Sequence, residues 1–383
     1  MKIVFLGTCS SFTEGMTYQD NLLAEVAVKK GHEVIFISNA EKYVNGMLSE
    51  TEPCDMIING NIRLIRLPYI KIGPPIIFKK LRIFKGVYSV IQDIRPDIIF
   101  CHNHHYLSVL DVVKYKRKCP DTIVFADTHV NENNSAQNWL SLNILHRLYY
   151  ASLTKRLLPV LNKYFYIGEP EKLFAKKIYR IPDELMEYLP LGGFALNDEE
   201  YSRRRDTKRE ELGLKEDELL FVHSGKLDKK KRTEELIEAF SKAGGNRAIL
   251  AIIGSLDFEN SKDIQRKIEA DKRILFLGWK NADELFSYLC AGDVYCQPGS
   301  VSATMQNAIC CRNAVISYPH QDYVKNIGFD CFYWCQNDEE LLDTISRICE
   351  DRNSLLEKKS NALKCAKQLL DYNVIFDKIM SYL

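Results

Sequence analysis

Two lysines follow a predicted buried strand in the middle of the chain. The apolar run Leu219–Val222 is typical of a strand in a parallel sheet, and a basic loop with Lys226 and Lys231 separates it from a predicted helix. The free N–H groups and the dipole of a helix N-terminus attract an anion. Together with the two lysines they predict a site for a ligand with more than one phosphate charge. Lys229 and Lys230, in the same basic run, are predicted to face solvent.

Histidines and an aspartate follow two other predicted strands. His102 and His104 lie in the sequence CHNHH at the end of one strand, and Asp127 and His129 follow the next. The carboxyl ends of parallel strands are where α/β proteins bind ligands, which favours a functional role for these residues. The histidines superficially resemble a metal cluster, but the cysteine and carboxylate spacing of a zinc site is missing. We therefore predict no metal, and interpret His102 and His104 either as substrate contacts or as core packing.

Strand-like runs alternate with helical periodicity along the whole chain, which predicts βαβ units and parallel sheets. In the first half, the strand Lys2–Leu6 is followed by a glycine loop and by a helix over Thr17–Lys30, which Gly31 ends. The second half repeats this scheme from Leu219, after the polar segment Asn197–Asp217, which fits a connector plus a short amphipathic helix. Two doubly wound domains of this kind are expected to bind ligands at the carboxyl ends of their strands, in a cleft between them.

The composition is that of an ordinary soluble globular protein, with 383 residues, of which 46% are hydrophobic and 27% charged. A formal net charge of +1 argues against nucleic acid as a partner. Twelve scattered cysteines without a CxxC pair indicate free thiols in a reducing cytoplasm. The first apolar run is too short for a signal peptide, and no stretch approaches the ~20 apolar residues of a spanning helix. We expect a cytoplasmic protein.

The segment Arg63–Lys85 holds seven lysines or arginines and no acidic residue, interleaved with isoleucines and phenylalanines. Basic charge among apolar side chains suits an anionic membrane surface, and a solvated loop with an exposed helix face is the alternative. Pro74 and Pro75 exclude a long helix here. If the segment binds a membrane, we expect a peripheral protein on the inner membrane face that acts on a lipid-linked substrate.

Four segments, in order along the chain, resemble the GT-B nucleotide-sugar glycosyltransferases, specifically glycosyltransferase family four. They are Glu14–Ser38, the sequence HSGKLDKKKR around the two lysines, AIIGSLD (Ala251–Asp257) and Ile274–Ser300. They are similar to the family's glycine loop with its "GHEV" strand, its phosphate loop, its "IVGDG" turn and its "FLG…EL…ADV…PS" stretch. The resemblance runs nearly end to end. It implies an α/β fold with two doubly wound, Rossmann-like domains that face each other across a cleft.

In this arrangement residues 1–192 form an acceptor-binding domain and residues 193–365 a nucleotide-sugar-binding domain, while residues 366–383 hold a helix that crosses back to the first domain. The implied activity is transfer of a hexosyl or N-acetylhexosaminyl group from a UDP- or GDP-sugar, with retention at the anomeric carbon. The acceptor would be a glycan or a lipid-linked molecule in the synthesis of surface polysaccharide or glycolipid. The resemblance implies neither a metal nor a cofactor.

The resemblance also implies roles for individual residues. Lys226 and Lys231 would stabilise the negative charge that develops on the diphosphate leaving group, with Lys226 in the place of the family's usual arginine. His129 matches a family histidine that contacts the donor sugar. The acceptor side would include His102, His104 and Asp127.

Most of the family carries a pair of glutamates in the region that corresponds to Pro298–Arg312. Asn307 aligns with the glutamate that binds the ribose hydroxyls, and the first glutamate, which touches the donor sugar, has no counterpart. Trp279 and Lys280 occupy the place of the nucleobase, and packing is the alternative interpretation of the Trp279 ring. The other predicted donor contacts are a glycine and backbone amides near helix starts, namely Gly15, Ser302, Ala303 and Thr304.

The missing glutamate motivates a second hypothesis, in which the chain is a non-catalytic GT-B partner or scaffold of an active transferase. A third hypothesis is a nucleotide-sugar epimerase or hydrolase of the same fold, which product analysis without any acceptor would reveal. A dinucleotide-dependent dehydrogenase is disfavoured, because no GxGxxG sequence opens either half of the chain.

Overall fold

A computed structural model describes the chain except for residues 45–46, 59, 244, 257–260, 301 and 319–324. The described residues form two compact units, one made of Met1–Pro190 with Phe376–Leu383 and the other of Leu191–Ile375. None of the helices in the described part of the chain has the length and apolar composition needed to span a bilayer. Acceptor and donor binding by the two halves stay predictions, and Asp257, in the third family-like segment, lies outside the described residues.

A mostly parallel sheet forms the centre of the first unit. The strands of this unit are β1 (Lys2–Gly7), β2 (Glu33–Asn39), β3 (Glu41–Val44), β4 (Met47–Glu50), β5 (Cys54–Ile58), β6 (Ile62–Leu67), β7 (Ile98–Cys101), β8 (Ile123–Thr128), β9 (Lys163–Tyr166) and β10 (Met186–Tyr188). The sheet order is β10-β9-β8-β7-β1-β2-β6-β5, with β5 antiparallel to β6 and the other neighbours parallel. Strands β3 and β4 form a separate hairpin. After its first residue, Lys2, the central strand β1 is apolar and buried, because a parallel sheet is covered on both faces.

Helices connect these strands, and the last residues of the chain belong to the same unit. The helices of the first unit are Gln19–Lys29, Pro75–Leu81, Val87–Ile94, Val109–Lys118, Ser141–Tyr150 continued by Ala151–Leu157, and Glu169–Phe174 continued by Ala175–Tyr179. The last helix, Tyr372–Met380, enters this unit from Phe376 onward. There Lys378 Nζ donates to the Tyr188 carbonyl at 2.8 Å, and Asp377 accepts from Lys30 Nζ at 2.7 Å.

A fully parallel sheet forms the centre of the second unit. Its strands are β11 (Leu219–Lys226), β12 (Ala248–Ser255), β13 (Ile274–Gly278), β14 (Val294–Gln297), β15 (Ala314–Ser317) and β16 (Phe332–Trp334), in the order β13-β12-β11-β14-β15-β16. Its helices are Asp198–Glu211, Thr233–Ala243, Ser261–Ala270, Ala282–Ala291, Ala303–Cys310, Asp338–Glu350 and Arg352–Cys365 continued by Ala366–Leu370. The predicted α/β class with Rossmann-like parallel sheets is confirmed.

Two segments differ in detail from the sequence-based expectation. The segment Asn197–Asp217 contains the expected helix, which is longer than predicted and extends over Asp198–Glu211. The Asn197 side chain caps its start by accepting from the Glu200 N–H at 2.8 Å. The helical pattern near the C-terminus is interrupted at Asp371, where the extended backbone pairs with Gly193. The Asp371 carboxylate then accepts from the Asn373 N–H at 2.8 Å, so it begins the last helix.

A single buried carboxylate ties the second unit's sheet to two of its helices. Asp293 is 4% exposed and contacts Lys359 Nζ at 2.6 Å, Arg205 at 2.7 Å and Arg209 at 3.4 Å. It also accepts from the Leu220 N–H of β11 at 3.0 Å. Burial alone would raise the pKa of Asp293, but Lys359, Arg205 and the backbone donor lower the pKa below its ordinary value.

We expect Asp293→Asn to destabilise the protein by about 3–5 kcal/mol, because it leaves buried cations without their counter-charge. Urea unfolding at neutral pH measures this loss. Because the folded-state pKa of Asp293 is depressed, its stabilisation is present above the unfolded-state pKa of about 3.9 and is lost as the pH falls further. The difference between wild type and variant should therefore shrink in acid.

The matched control is Asp283→Asn in the same unit. The Asp283 side chain is 78% exposed, and Arg204 is its one ion-pair partner among the residues that the structure describes, so its loss should cost less than about 1 kcal/mol. Equal urea midpoints for the two variants would contradict a structural role for Asp293.

Candidate active site

A buried lysine lies at the carboxyl end of β11, in the loop that precedes the helix Thr233–Ala243. Lys231 is 7% exposed, and its Nζ donates to the Ser300 carbonyl at 3.0 Å. Burial lowers the pKa of Lys231, and Asp228 opposes that shift in part. Among the described residues, Lys231 forms no ion pair with a carboxylate. A buried cation without a counter-charge is suited to an anionic ligand.

Two glycines make room for this lysine. Gly225, with φ of 138°, lies so close that a Cβ on it would be 3.2 Å from Lys231 Cε. A Cβ on Gly299 would be 2.1 Å from the Lys230 carbonyl oxygen and would displace the loop. The sequence therefore needs glycine on both sides of Lys231, and the loop backbone packs tightly against the end of β14.

The neighbouring cations differ in exposure. Lys226, the last residue of β11, is exposed, as are Lys229 and Lys230. Arg232 is half-buried in a left-handed conformation and pairs with Asp338, so its charge is already compensated. Of the two lysines predicted to bind phosphate, Lys231 is thus the one that the fold holds in place. Lys226 extends from the end of β11 beside the same loop.

The helix Ala303–Cys310 begins close to the Lys231 partner Ser300. Ser302 precedes the helix, and its hydroxyl donates to Gln297 at 3.2 Å instead of capping it. The N–H groups of Ala303 and Thr304 lie in the first turn, where a helix has no internal acceptor for them. Anion binding by these amides is compatible with their position and stays a prediction.

Asn307 lies on the same helix, next to Gln306, whose side chain holds the backbone at Gly192. Gln306 accepts from the Gly192 N–H at 2.7 Å, and Asn307 Oδ1 lies 2.7 Å from the position that a Cβ on Gly193 would take. Asn307 is half-buried. A side chain larger than glycine at position 193 would therefore push the Asn307 amide away from its position.

Trp279 follows β13 and is 73% exposed, which excludes the interpretation as a core packing aromatic. Lys280 beside it is half-buried. Asn281 then caps the helix Ala282–Ala291 in a reciprocal capping box with Glu284. The exposed indole is available to a ligand, and contact with a nucleobase stays a prediction.

In the first unit, the strand ends of β7 and β8 bring two histidines and an aspartate together. Cys101 of β7 pairs with Ala126 of β8, so His102 and Asp127 lie side by side, with His102 Nδ1 2.7 Å from Asp127 Oδ2. His129 Nε2 is 3.5 Å from the same oxygen, and the rings of His102 and His129 meet edge to face at 4.8 Å.

Charge pairing dominates this cluster. His102 and Asp127 are 4% and 1% exposed. Burial would lower the pKa of His102, but Asp127 and Asp20 raise the pKa to about 9, so the imidazole is cationic at neutral pH. Burial likewise would raise the pKa of Asp127, and His102 lowers the pKa below its ordinary value. Asp20 Oδ2 lies 3.9 Å from His102 Nε2, on the side away from Asp127.

The ligand atoms of His102, Asp127 and His129 lie within 4.8 Å of one another, close enough for a metal to be considered. Two ligands of one tetrahedral zinc, each about 2.0–2.1 Å from the ion, lie roughly 3.3 Å apart. The 2.7 Å between His102 Nδ1 and Asp127 Oδ2 is shorter and fits a shared proton. These residues would have to separate before they held an ion.

A turn centred on Asn103 positions His129. Asn103 adopts a left-handed conformation with φ of 47°, and its N–H donates to Asp127 Oδ1 at 2.6 Å. Its side-chain oxygen accepts from the His129 N–H at 2.9 Å. The His129 side chain is 22% exposed, so this imidazole, unlike that of His102, is accessible at the strand ends.

His104 has a structural environment. It is 1% exposed, its Nε2 lies 2.9 Å from Thr154 Oγ1, and its Nδ1 lies 3.2 Å from the Asp127 carbonyl oxygen. Burial lowers the pKa of His104 to about 4. Of the two interpretations from sequence, the structure supports core packing for His104.

A cavity of ≈ 530 Å³ opens at the strand ends of the same unit. Its lining includes Asp20, Glu41, Tyr69, Lys79 and Arg82, and three further aromatic side chains. Glu41 is buried and accepts from Tyr69 Oη at 3.0 Å and from Lys79 Nζ at 2.5 Å. The sequence signal for this cavity is the basic segment Arg63–Lys85, for which the sequence alone predicts a membrane surface or solvent.

The structure changes the interpretation of the segment Arg63–Lys85. Arg66 is 5% exposed and donates to the Phe12 carbonyl at 2.8 Å, so its guanidinium group is bonded inside the unit. Arg63 pairs with Asp55, Lys79 pairs with Glu41, and Arg82 donates to the His105 carbonyl at 3.1 Å. More than half of the seven cations in the segment are therefore engaged within the protein.

Gly15, a predicted donor contact, lies in an exposed turn with φ of 76°. No atom lies within 4 Å of where its Cβ would be, so the left-handed backbone alone requires glycine. Approach of a ligand to Gly15 stays a prediction.

The comparisons with known proteins agree with this architecture. Residues 204–366 match the family model described as glycosyl transferases group 1. No sequence among curated proteins matches the chain significantly. A glycosyltransferase from Rickettsia africae superposes with a TM-score of 0.68 at 13% identity, covering 100% of this chain and 97% of that one.

Two further structures are similar over their whole length. HepE of Anabaena in complex with UDP has a TM-score of 0.66 at 15% identity, covering 100% of this chain and 99% of that one. Sucrose-phosphate synthase from Thermosynechococcus elongatus has a TM-score of 0.66 at 14% identity, covering 99% and 97%. The predicted GT-B fold is confirmed.

Proposed function

We propose that this chain transfers a sugar from a UDP- or GDP-sugar to a glycan or lipid-linked acceptor, with retention and without a metal, in the synthesis of surface polysaccharide or glycolipid. The observation that carries the proposal is Lys231 at the carboxyl end of β11, a buried cation to which the described residues supply no carboxylate partner. The structural neighbour HepE is bound to UDP, which favours UDP over GDP as the first nucleotide to test.

In the proposed reaction, Lys231 and Lys226 stabilise the diphosphate as its bond to the sugar breaks. Negative charge grows on the leaving group in the transition state, and fixed donors that already point at it lower the barrier. Lys231 needs little reorganisation, because Gly225, Gly299 and the Ser300 carbonyl hold it. The amides of Ala303 and Thr304 would supply further donors, and Asn307 would bind the ribose as a neutral group.

On the first unit we propose that His129 contacts the donor sugar and that the ≈ 530 Å³ cavity receives the acceptor. Carboxylates such as Asp20 are good acceptors for sugar hydroxyls, and tyrosine rings offer apolar faces to a pyranose. His102 and Asp127 act behind His129 as a positioning pair, since both are almost completely buried.

The second candidate function is a non-catalytic partner of an active transferase. The specific observation in its favour is that Asn307 and the loop before it offer no carboxylate for the donor. Calorimetric titration with UDP, GDP and their glucose conjugates separates the two functions. Saturable binding supports the transferase, and a folded protein that binds none of them supports the partner role.

We expect Lys231→Ala to weaken binding of the preferred nucleotide diphosphate about 10- to 100-fold, because a charge-assisted contact is worth about 1.5–3 kcal/mol. The control is Lys230→Ala, which removes an adjacent exposed lysine. Its effect on the dissociation constant should be less than about threefold, as for a solvent-exposed charge. Equal weakening by both variants would show that only general positive charge matters.

We expect His129→Ala to slow cleavage of the bond between sugar and nucleotide diphosphate in the bound donor about 10- to 100-fold. The affinity for UDP should stay unchanged, because the proposed contact of this side chain is with the sugar and not with the nucleotide. Slow hydrolysis of UDP-glucose provides the assay when the acceptor is unknown. The control is His32→Ala, another partly exposed histidine of the same unit. Loss of UDP affinity in His129→Ala would contradict the assignment to the sugar.

A further inference from the structure

A helical segment in the first unit lacks acidic residues. Residues 139–157, WLSLNILHRLYYASLTKRL, contain Arg147, Lys155 and Arg156 and no aspartate or glutamate. The structure forms a continuous helix here, as Ser141–Tyr150 followed by Ala151–Leu157, with Trp139 and Leu140 already helical.

One face of this helix is apolar and exposed. Leu140, Ile144 and Leu148 recur every four residues and are 66%, 47% and 63% exposed, and Trp139 beside them is 68% exposed. The other face holds His146, Tyr150, Leu153 and Leu157, which are all at most 3% exposed and anchor the helix in the core. Exposed large apolar residues are common singly, but four on one helix face mark an interaction surface.

The helix lies directly beside the basic segment identified from sequence. Tyr149 Oη donates to the Leu81 carbonyl at 2.7 Å, and Tyr150 Oη donates to the Lys80 carbonyl at 2.6 Å. Near this junction the basic segment exposes Ile72 at 52% and Ile77 at 47%. The two elements therefore present exposed aliphatic side chains in the same region of the unit.

Most of the exposed cations of these two elements lack acidic partners among the described residues. In the part of the chain that the structure describes, Lys71, Lys80, Lys85, Arg147, Lys155 and Arg156 are exposed and form no ion pair. This property distinguishes them from Arg63, Arg66 and Lys79, whose charges the protein itself engages.

We propose that the exposed face of the helix 139–157 (Trp139, Leu140, Ile144 and Leu148), flanked by unpaired cations, docks the first unit onto an anionic lipid bilayer. The apolar side chains enter the boundary between headgroups and acyl chains, and the cations contact the headgroups. Trp139, at the start of the helix, is of the type that prefers the interface. This inference is independent of the proposed sugar transfer.

The charge pattern favours lipid over other occupants. Two copies of the face, related by a twofold axis, would bring like charges together and leave them unneutralised. A nucleic acid would neutralise the cations but offers no apolar environment to Leu140, Ile144 and Leu148. An anionic bilayer satisfies both the apolar face and its cationic surroundings.

The test is co-sedimentation of the full chain with vesicles of phosphatidylcholine alone or mixed equally with phosphatidylglycerol. Wild type is expected to bind the mixed vesicles at least about tenfold more tightly, and less tightly in high salt, as screened charges require. The double variant Trp139→Ser with Leu148→Ser should lose most of this binding. The matched control is Ile57→Ser, since Ile57 on edge strand β5 is 62% exposed in the same unit.

Charge and insertion are tested separately. Arg147→Glu with Lys155→Glu should abolish the preference for anionic vesicles, and Lys42→Glu, at an exposed lysine of β3, should preserve it. Trp139→Phe should bind vesicles but lose the blue shift of tryptophan fluorescence, whereas Trp279→Phe should keep both. This pair needs no destabilising substitution, so it remains decisive if the serine variant fails to fold.

Three results would overturn the proposal. They are equal binding of wild type to both vesicle types, unchanged binding by the serine and glutamate variants, and a blue shift that persists without Trp139. A wild-type dimer in sedimentation velocity that the serine variant converts to a monomer, without vesicle binding, would assign the face to self-association instead.

Discussion

A charge buried in a protein must be compensated by an opposite charge or by hydrogen bonds, because its desolvation otherwise costs several kcal/mol. This constraint organises both units. Asp293 is surrounded by Lys359, Arg205 and Arg209, and Asp127 is paired with His102. Lys231 differs from these groups, since a carbonyl oxygen is the protein partner that the described structure gives its ammonium group. The missing counter-charge is therefore the physical basis for assigning an anionic ligand to this loop.

The sequence predicted those features that short stretches determine. An apolar strand, a glycine and a helix start lie within about one supersecondary unit, so the loop with Lys231 was predictable from local pattern alone. His102 and Asp127 were each placed at strand ends, but their pairing depends on β7 and β8 being neighbours in register. The core position of His104 was not predictable, because its hydrogen-bond partner Thr154 lies 50 residues away in the chain.

The number of basic residues in a segment does not predict its exposed charge where the fold buries some of these side chains. The segment Arg63–Lys85 contains both interior and exposed cations, and tertiary contacts, such as the pairing of β6 with β5 and the position of Glu41, decide which is which. The helix 139–157 was missed for the opposite reason. Apolar residues occupy its buried face and its exposed face alike, so its sequence resembles a core helix and the periodicity does not identify the outward side.

The neutral side chain at Asn307 changes the balance of the proposed donor site. A carboxylate at this position would bind a ribose diol strongly and would also offset part of the positive charge contributed by Lys226 and Lys231. An amide does neither, so more of the binding free energy must come from the diphosphate. Gly193, against which Asn307 packs, and Gln306, which accepts from the Gly192 N–H, fix the helix that carries this amide. Such a site would depend on attraction to the phosphate charge and on a rigid backbone. Lys231 supplies the positive charge, and Gly225 and Gly299 allow the tightly packed loop that holds it.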